Sequence, residues 1–157
     1  MKRATITMIL VALAVTVVLS GCDFAIVTPE QRLQLFIVDA NADPREPENM
    51  QRHFSPAASE YPTMVTDAGY WENSFFDFAD RPFTLGSVTV GDPDSRYSGS
   101  KTATSTITSG AYPSGASLSA VFEKGAFDWV IRELVIASGD PPEEFKNIAP
   151  DGVWSIR

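Results

Sequence analysis

Hydrophobic and polar positions change period twice along this chain, and each change marks a boundary. Lys2 and Arg3 precede an uncharged, largely apolar run from Ala4 to Leu19. Its 16 residues fall short of the roughly 20 that a bilayer-spanning helix needs. From Thr28 the spacing becomes helical, with Leu33, Phe36, Ile37 and Ala40 on one face. Thr28-Pro29-Glu30-Gln31 predicts the start of that helix, because Thr28 and Gln31 form a capping box and Pro29 suits the first helical position. Leu35 and Val38 lie off the stripe, which predicts a helix covered on more than one side. Asn41 to Pro44 stops it, since the residue before a proline resists the helical region. A second short helix is predicted from Pro47, carrying Met50 and Phe54. A third is predicted over Ala68 to Phe78, with Asp67 as its N-cap, Trp71, Phe75 and Phe78 on one face, and Tyr70 and Phe76 at the flanks.

From Phe83 the period is two. Phe83 and Leu85 share one parity and Val88 and Val90 the other, so Gly86 between them is placed for a β-bulge. Gly91 to Asp94 is a turn, and Thr102 to Thr108 reads as a Thr-rich, partly exposed strand. Ala116 to Glu123 alternates, with Leu118, Ala120 and Phe122 on one side. Lys124-Gly125 predicts a hairpin turn into the strongest strand, Phe127 to Ala137. There Phe127, Trp129 and Ile131 face one way and Val130, Leu134 and Ile136 the other, which predicts burial on both faces. Residues 139–157 are acidic and Pro-rich and read as an extended tail packed loosely on the domain.

The first apolar run closes on Leu19-Ser20-Gly21-Cys22, which resembles the lipobox of bacterial lipoproteins. The positive n-region, the run's length and its small-residue exit fit a signal segment better than an anchor helix. The resemblance implies that residues 1–21 are removed and that Cys22 becomes a mature N-terminus carrying a thioether-linked diacylglycerol. Two or more chains anchor a protein stably. Residues 22–28 would then be a short lipidated tether, and the expected location is the cell envelope, outside the cytoplasm. Asp23 resembles the inner-membrane retention signal of some enteric bacteria, but the membrane and leaflet stay open.

Composition narrows the classes further. Without residues 1–21, 136 residues remain, enough for one domain with a single core. Cys22 is the only cysteine, so its lipidation would leave no thiol for a disulfide, a metal or a nucleophile. All 20 acidic residues but only 10 of the 12 basic ones lie after position 21, a balance of −10. Such a surface repels nucleic acid, excluding it as a partner, and argues for a body held off anionic headgroups.

The element order resembles the nuclear transport factor 2-like superfamily, as found in small bacterial lipoproteins. The carrying features are the amphipathic opening helix (Leu33 to Asn41), His53-Phe54-Ser55-Pro56, Tyr70-Trp71 with Phe75-Phe76, and the closing strand from Trp129 to Leu134. The resemblance covers residues 29–138. It implies an α+β cone of the cystatin/nuclear transport factor 2-like kind, with two or three N-terminal helices packed on a curved antiparallel sheet of about four strands. A β-sandwich or lipocalin-like barrel is the alternative, opposed by the three helical segments at the front.

In such a cone a cavity can open between helices and sheet. Phe36, Tyr70, Trp71, Phe75, Phe76, Phe78, Phe122 and Trp129 are the candidate ligand-binding residues, and the plainer reading is that these rings fill the core. Asp39-Ala-Asn41-Ala-Asp43 opens like a calcium loop, but Pro44 replaces the sixth-position glycine and Met50 the twelfth-position glutamate, so an EF-hand is rejected. His53 is the only histidine; it reads as a surface or capping residue and excludes a multi-histidine zinc site. No catalytic motif, metal set or cofactor is expected. The favoured expectation is a non-catalytic binding or accessory domain taking a small apolar ligand or an envelope protein. The alternative is a dehydratase or isomerase of the resembled fold, which requires a buried carboxylate near His53 or a tyrosine at a cavity mouth.

Overall fold

The computed structural model describes residues 26–67, 69–72, 74–78, 82–108, 115–139, 146–147 and 149–157. Cys22 and the apolar leader therefore lie outside the described residues. Helix α1 (Pro29–Ala40) starts as its sequence dictates: the Thr28 hydroxyl accepts from the Gln31 N–H at 3.2 Å, and the Gln31 side chain accepts from the Thr28 N–H at 3.0 Å. Leu33, Phe36, Ile37 and Ala40 are buried, as the helical spacing predicts. Leu35 and Val38, however, are 44% and 66% exposed, so α1 is covered on one side only. Two side chains tie off its far end. Asn41 exchanges hydrogen bonds with the Phe83 backbone at 2.7 and 3.0 Å, and Arg45 reaches the carbonyls of Ala40 and Phe76.

Helix α2 (Pro47–Gln51) buries Met50, but Phe54 lies beyond it, in a parallel bridge to Ile131. The predicted helix over 68–78 is broken. Helix α3 (Thr63–Thr66) and helix α4 (Phe75–Phe78) flank turns, and Asp67 serves as the C-cap of α3. The cause is local: the Asp67 carboxylate accepts from the Gly69 N–H at 2.9 Å, which stabilises a turn instead of a new helix.

The rest is an antiparallel sheet of six strands: β1 (Thr84–Leu85), β2 (Thr89–Gly91), β3 (Lys101–Thr108), β4 (Ser117–Lys124), β5 (Trp129–Ala137) and β6 (Val153–Ile156). Its order is β1-β3-β4-β5-β6, with β2 on the same edge of β3 as β1. The fold is thus α+β with an open sheet. Between Leu85↔Ile107 and Thr89↔Thr104 the β1–β2 segment advances four residues while β3 advances three. That extra residue falls beside Gly86, where the parity switch predicts a bulge. Gly86 donates to the Thr106 carbonyl at 2.8 Å, and a Cβ there would meet the Thr106 hydroxyl oxygen at 2.8 Å.

A second irregularity corrects the assignment of Ile131 and of Leu134 and Ile136 to opposite faces of β5. Val121 pairs with Glu133 but Phe122 with Ile131, leaving Arg132 as an extra residue. The bulge resets parity, so Ile131, Leu134 and Ile136 all reach the inner face and are fully buried. Phe127 is outside the strand, 85% exposed in the four-residue tip 125–128 between β4 and β5. The tail reading also changes at its end. β6 pairs with β5 from Ala137↔Val153 to Leu134↔Ile156 and buries Ile156. The Arg157 carbonyl accepts from Ser59 and from the Glu60 N–H. Among the described residues, no helix is long and apolar enough to cross a membrane.

Candidate functional site

The inner face of the sheet carries Ala103, Ile107, Leu118, Ala120 and Phe122, small and large residues that leave room for rings from the helices. Phe76 on α4 sits at the centre of those rings. It meets Phe36, Phe75 and Trp154 edge-on with centroids at 5.2, 5.5 and 5.3 Å, and stacks on Phe83 at 5.6 Å. Phe36, Phe75, Phe76 and Phe122 have no exposure, and Trp71 is buried with its indole N–H on the Met64 carbonyl at 2.9 Å. Tyr70 is half-buried at the margin and donates to Glu60 at 2.6 Å; burial, then the Glu60 carboxylate, pushes its pKa up. Trp129 is also half-buried, with the Lys101 ammonium 5.4 Å from its ring centroid. The side chain of Phe78 lies outside the described residues. The structure therefore gathers Phe36, Tyr70, Trp71, Phe75, Phe76, Phe122 and Trp129 into one packed group, with Phe54, Phe83 and Trp154, which were not among the candidate ligand-binding residues.

Concave surface lies elsewhere. A groove of about 450 Å³ runs along the uncovered side of α1, lined by Val27, Gln31, Gln34, Leu35 and Val38. Among the described residues, none that lines it is charged, in a chain of formal net charge −8. A second groove of about 320 Å³ crosses the outer face of the sheet, where Thr102, Thr104, Ser119 and Val135 lie beside Arg96 and Glu133.

The polar interior holds two networks. His53 is 1% exposed, contrary to its expected place at the surface. Its Nε2 lies 2.6 Å from Asp39 Oδ2, which also accepts from Arg52 at 2.8 Å, and its Nδ1 lies 3.4 Å from Arg32 Nη1. Arg32 is pinned in turn by the Trp129 carbonyl at 2.9 Å and by Asp128. A guanidinium can only donate, so Nδ1 accepts and Nε2 carries the proton that Asp39 receives. Burial lowers the His53 pKa; the Asp39 hydrogen bond and charge oppose this, and Arg32 and Arg52 reinforce it. The ring is thus neutral with both nitrogens facing protein groups. A general base must reach its substrate's proton, and this one lines neither groove.

The second network centres on Glu133, whose side chain is 7% exposed on the outer face. Arg96 grips it through two nitrogens at 3.1 and 2.8 Å, and Tyr97 donates to it at 2.5 Å. Asp94 orients Arg96 from behind, and the Arg96 side-chain hydrogen bonds hold the Asp94 carboxyl below its usual pKa. The Arg96 and Arg132 guanidiniums lie 5.3 and 5.4 Å from the Tyr97 centroid, so the bulge residue of β5 finds its partner in a π face.

No protein-family model, curated protein or solved structure matches this chain. Among the described residues, no group of three or more His, Cys, Asp or Glu side chains is arranged to hold a metal ion.

Proposed function

We propose that this chain is a bacterial lipoprotein, anchored outside the cytoplasm through acylated Cys22, whose domain binds rather than catalyses. The observation that carries the reading is the run closing on Leu19-Ser20-Gly21-Cys22 behind Lys2 and Arg3. Labelled palmitate should enter the wild type and not Cys22→Ser; equal labelling, or an intact leader on a cytosolic product, refutes the anchor.

Within that reading the open α1 groove is the binding surface, and its occupant is a small apolar molecule. Its volume of about 450 Å³ suits such a ligand, and its lining combines Val and Leu side chains with two neutral amides. Extraction and mass spectrometry of the purified protein should find an apolar molecule that Val38→Glu no longer carries. The substitution is safe for folding because Val38 is 66% exposed. If neither protein carries one, the ligand version falls and an envelope protein partner takes its place. The cystatin/nuclear transport factor 2-like cone is the finer fold we infer, supported by bulges at Gly86 and Arg132 of the kind that curve a sheet. The dehydratase or isomerase reading stands second on the His53–Asp39 pair alone. It demands that His53→Asn abolish turnover of an added carbonyl substrate.

A further inference from the structure

Large apolar side chains exposed among the described residues are not spread evenly. Four of the six, Ile26, Leu35, Val38 and Phe127, belong to the N-terminal segment, the helix it starts, or the hairpin tip beside it. The Trp129 N–H donates to the Val27 carbonyl at 3.3 Å, which fixes the 125–128 tip against the entry to α1. At that tip Phe127 is 85% exposed, and Ile26, which precedes the bonded Val27, is 55% exposed. A phenyl ring at a loop apex, with no core to serve, is costly to leave in water.

Two exposed ammonium groups stand at this end of an acidic chain. Lys101 and Lys124 are exposed here: Lys124 pairs with Trp129 across the hairpin, and Lys101 lies over the Trp129 ring. They are two of the three lysines after position 21. Of the neighbouring acids, Asp128 pairs with Arg32 and Glu123 accepts from the Ser55 hydroxyl; Glu30 is exposed on the first turn of α1, and Asp23 follows Cys22 in the sequence. Residues 22–25, which connect Cys22 to Ile26, span at most ~14 Å when fully extended.

We propose that this end of the domain, built from Ile26, the Gly125–Asp128 tip, Lys101 and Lys124, rests on an anionic phospholipid surface with Phe127 lodged among the headgroups. The proposal rests on acylation of Cys22, which sets the distance. A short tether brings the tip to the bilayer whatever the rest of the surface prefers. The ring then enters the interfacial layer, and the two ammoniums meet lipid phosphates. The expectation of a domain held off the membrane thus yields to one that stands on a single end.

The test uses the full lipidated protein in phosphatidylcholine–phosphatidylglycerol vesicles containing nitroxide-labelled lipid. Acylation would leave no native thiol, so a fluorophore can be placed at Ala126→Cys, beside Phe127, or at Val153→Cys. Val153 pairs with Ala137, eight residues along β5 from Trp129, so it lies about 27 Å away along the strand. The expected result is quenching several-fold stronger at 126 than at 153. It should weaken severalfold when Phe127→Ser is added, the remainder reflecting the tether alone, and weaken with Lys101→Gln plus Lys124→Gln or in pure phosphatidylcholine; quenching at 126 that Phe127→Ser leaves unchanged overturns the lodging of the ring. Equal quenching at the two sites in protein that floats with the vesicles overturns the docking and leaves the anchor standing. Protein that does not float refutes the anchor, and this docking with it.

Discussion

Phe76→Ala is the sharpest test of whether the aromatic interior is filled. The ring has no exposure and touches Phe36 on α1, Phe83 before β1, Trp154 on β6, and its own neighbours Phe75 and Trp71. Removing it forfeits about 1.5–3 kcal/mol of burial. The space left behind adds about 1 kcal/mol for every 40 Å³ that the neighbours fail to fill. Ring pairs of this kind are worth about 0.5–1.5 kcal/mol each, although several share one ring and do not sum. The expected loss is therefore about 3–5 kcal/mol, a large part of the ~5–15 kcal/mol available to a domain. Urea unfolding followed by tryptophan fluorescence reads it directly, because Trp71 and Trp154 both contact the lost ring. The midpoint should fall with the slope unchanged. A loss below about 1 kcal/mol would mean that the ring borders empty space, and the packed-interior argument fails.

Three further substitutions probe the parts that position the two networks and the sheet. Gly86→Ala should cost about 1–3 kcal/mol, because its Cβ would stand 2.8 Å from the Thr106 hydroxyl oxygen; adding Thr106→Ala should recover most of it, and equal losses in both backgrounds would refute the clash. Below pH 6.5 the unfolded chain takes up a proton at His53 before the folded one, so stability should fall as pH drops from 6.5 through the lowered folded-state pKa. The slope is at most about 1.4 kcal/mol per pH unit and should be shallower in His53→Asn; chemical unfolding across that range checks it, and identical slopes contradict a neutral buried ring. Tyr97→Phe should lower stability by about 1.5–3 kcal/mol, since the Glu133 carboxylate loses its bond at 2.5 Å in a site with little water; an unchanged thermal midpoint would place that carboxylate in solvent.

What could be read along the chain was what short spacings encode. The α1 cap, the stripe from Leu33 to Ala40, the alternation of β3 and β4, and the extra residue at Gly86 all depend on neighbours within a few positions. Arg132 shows the opposite case. A single bulged residue moved Leu134 and Ile136 to the face of Ile131, and a period count through it assigns them to opposite faces. β6 is four residues after the turn-formers Asp151 and Gly152, and its order comes from pairing with β5 rather than from any pattern of its own. The polar networks were invisible for the same reason. Asp39, Arg32 and Asp128 surround His53 or its partner across sequence separations of 14, 21 and 96 residues, and Arg96 reaches Glu133 across 37. The one available signal was negative: Arg32 sits at the edge of an apolar stripe, where a charged residue needs a partner to be buried.

Those long separations have a consequence for how the molecule is made. Arg32 in the first helix waits for the Trp129 carbonyl, 97 residues further on, and Glu60 waits for Arg157. Phe76 gains its last neighbour only with Trp154. A ribosome releasing the chain from its front end cannot complete the architecture piecemeal, because closing such distant pairs comes late and slowly. The contacts that close the interior around Phe76 and Arg32 therefore form only after β5 and β6 have been made.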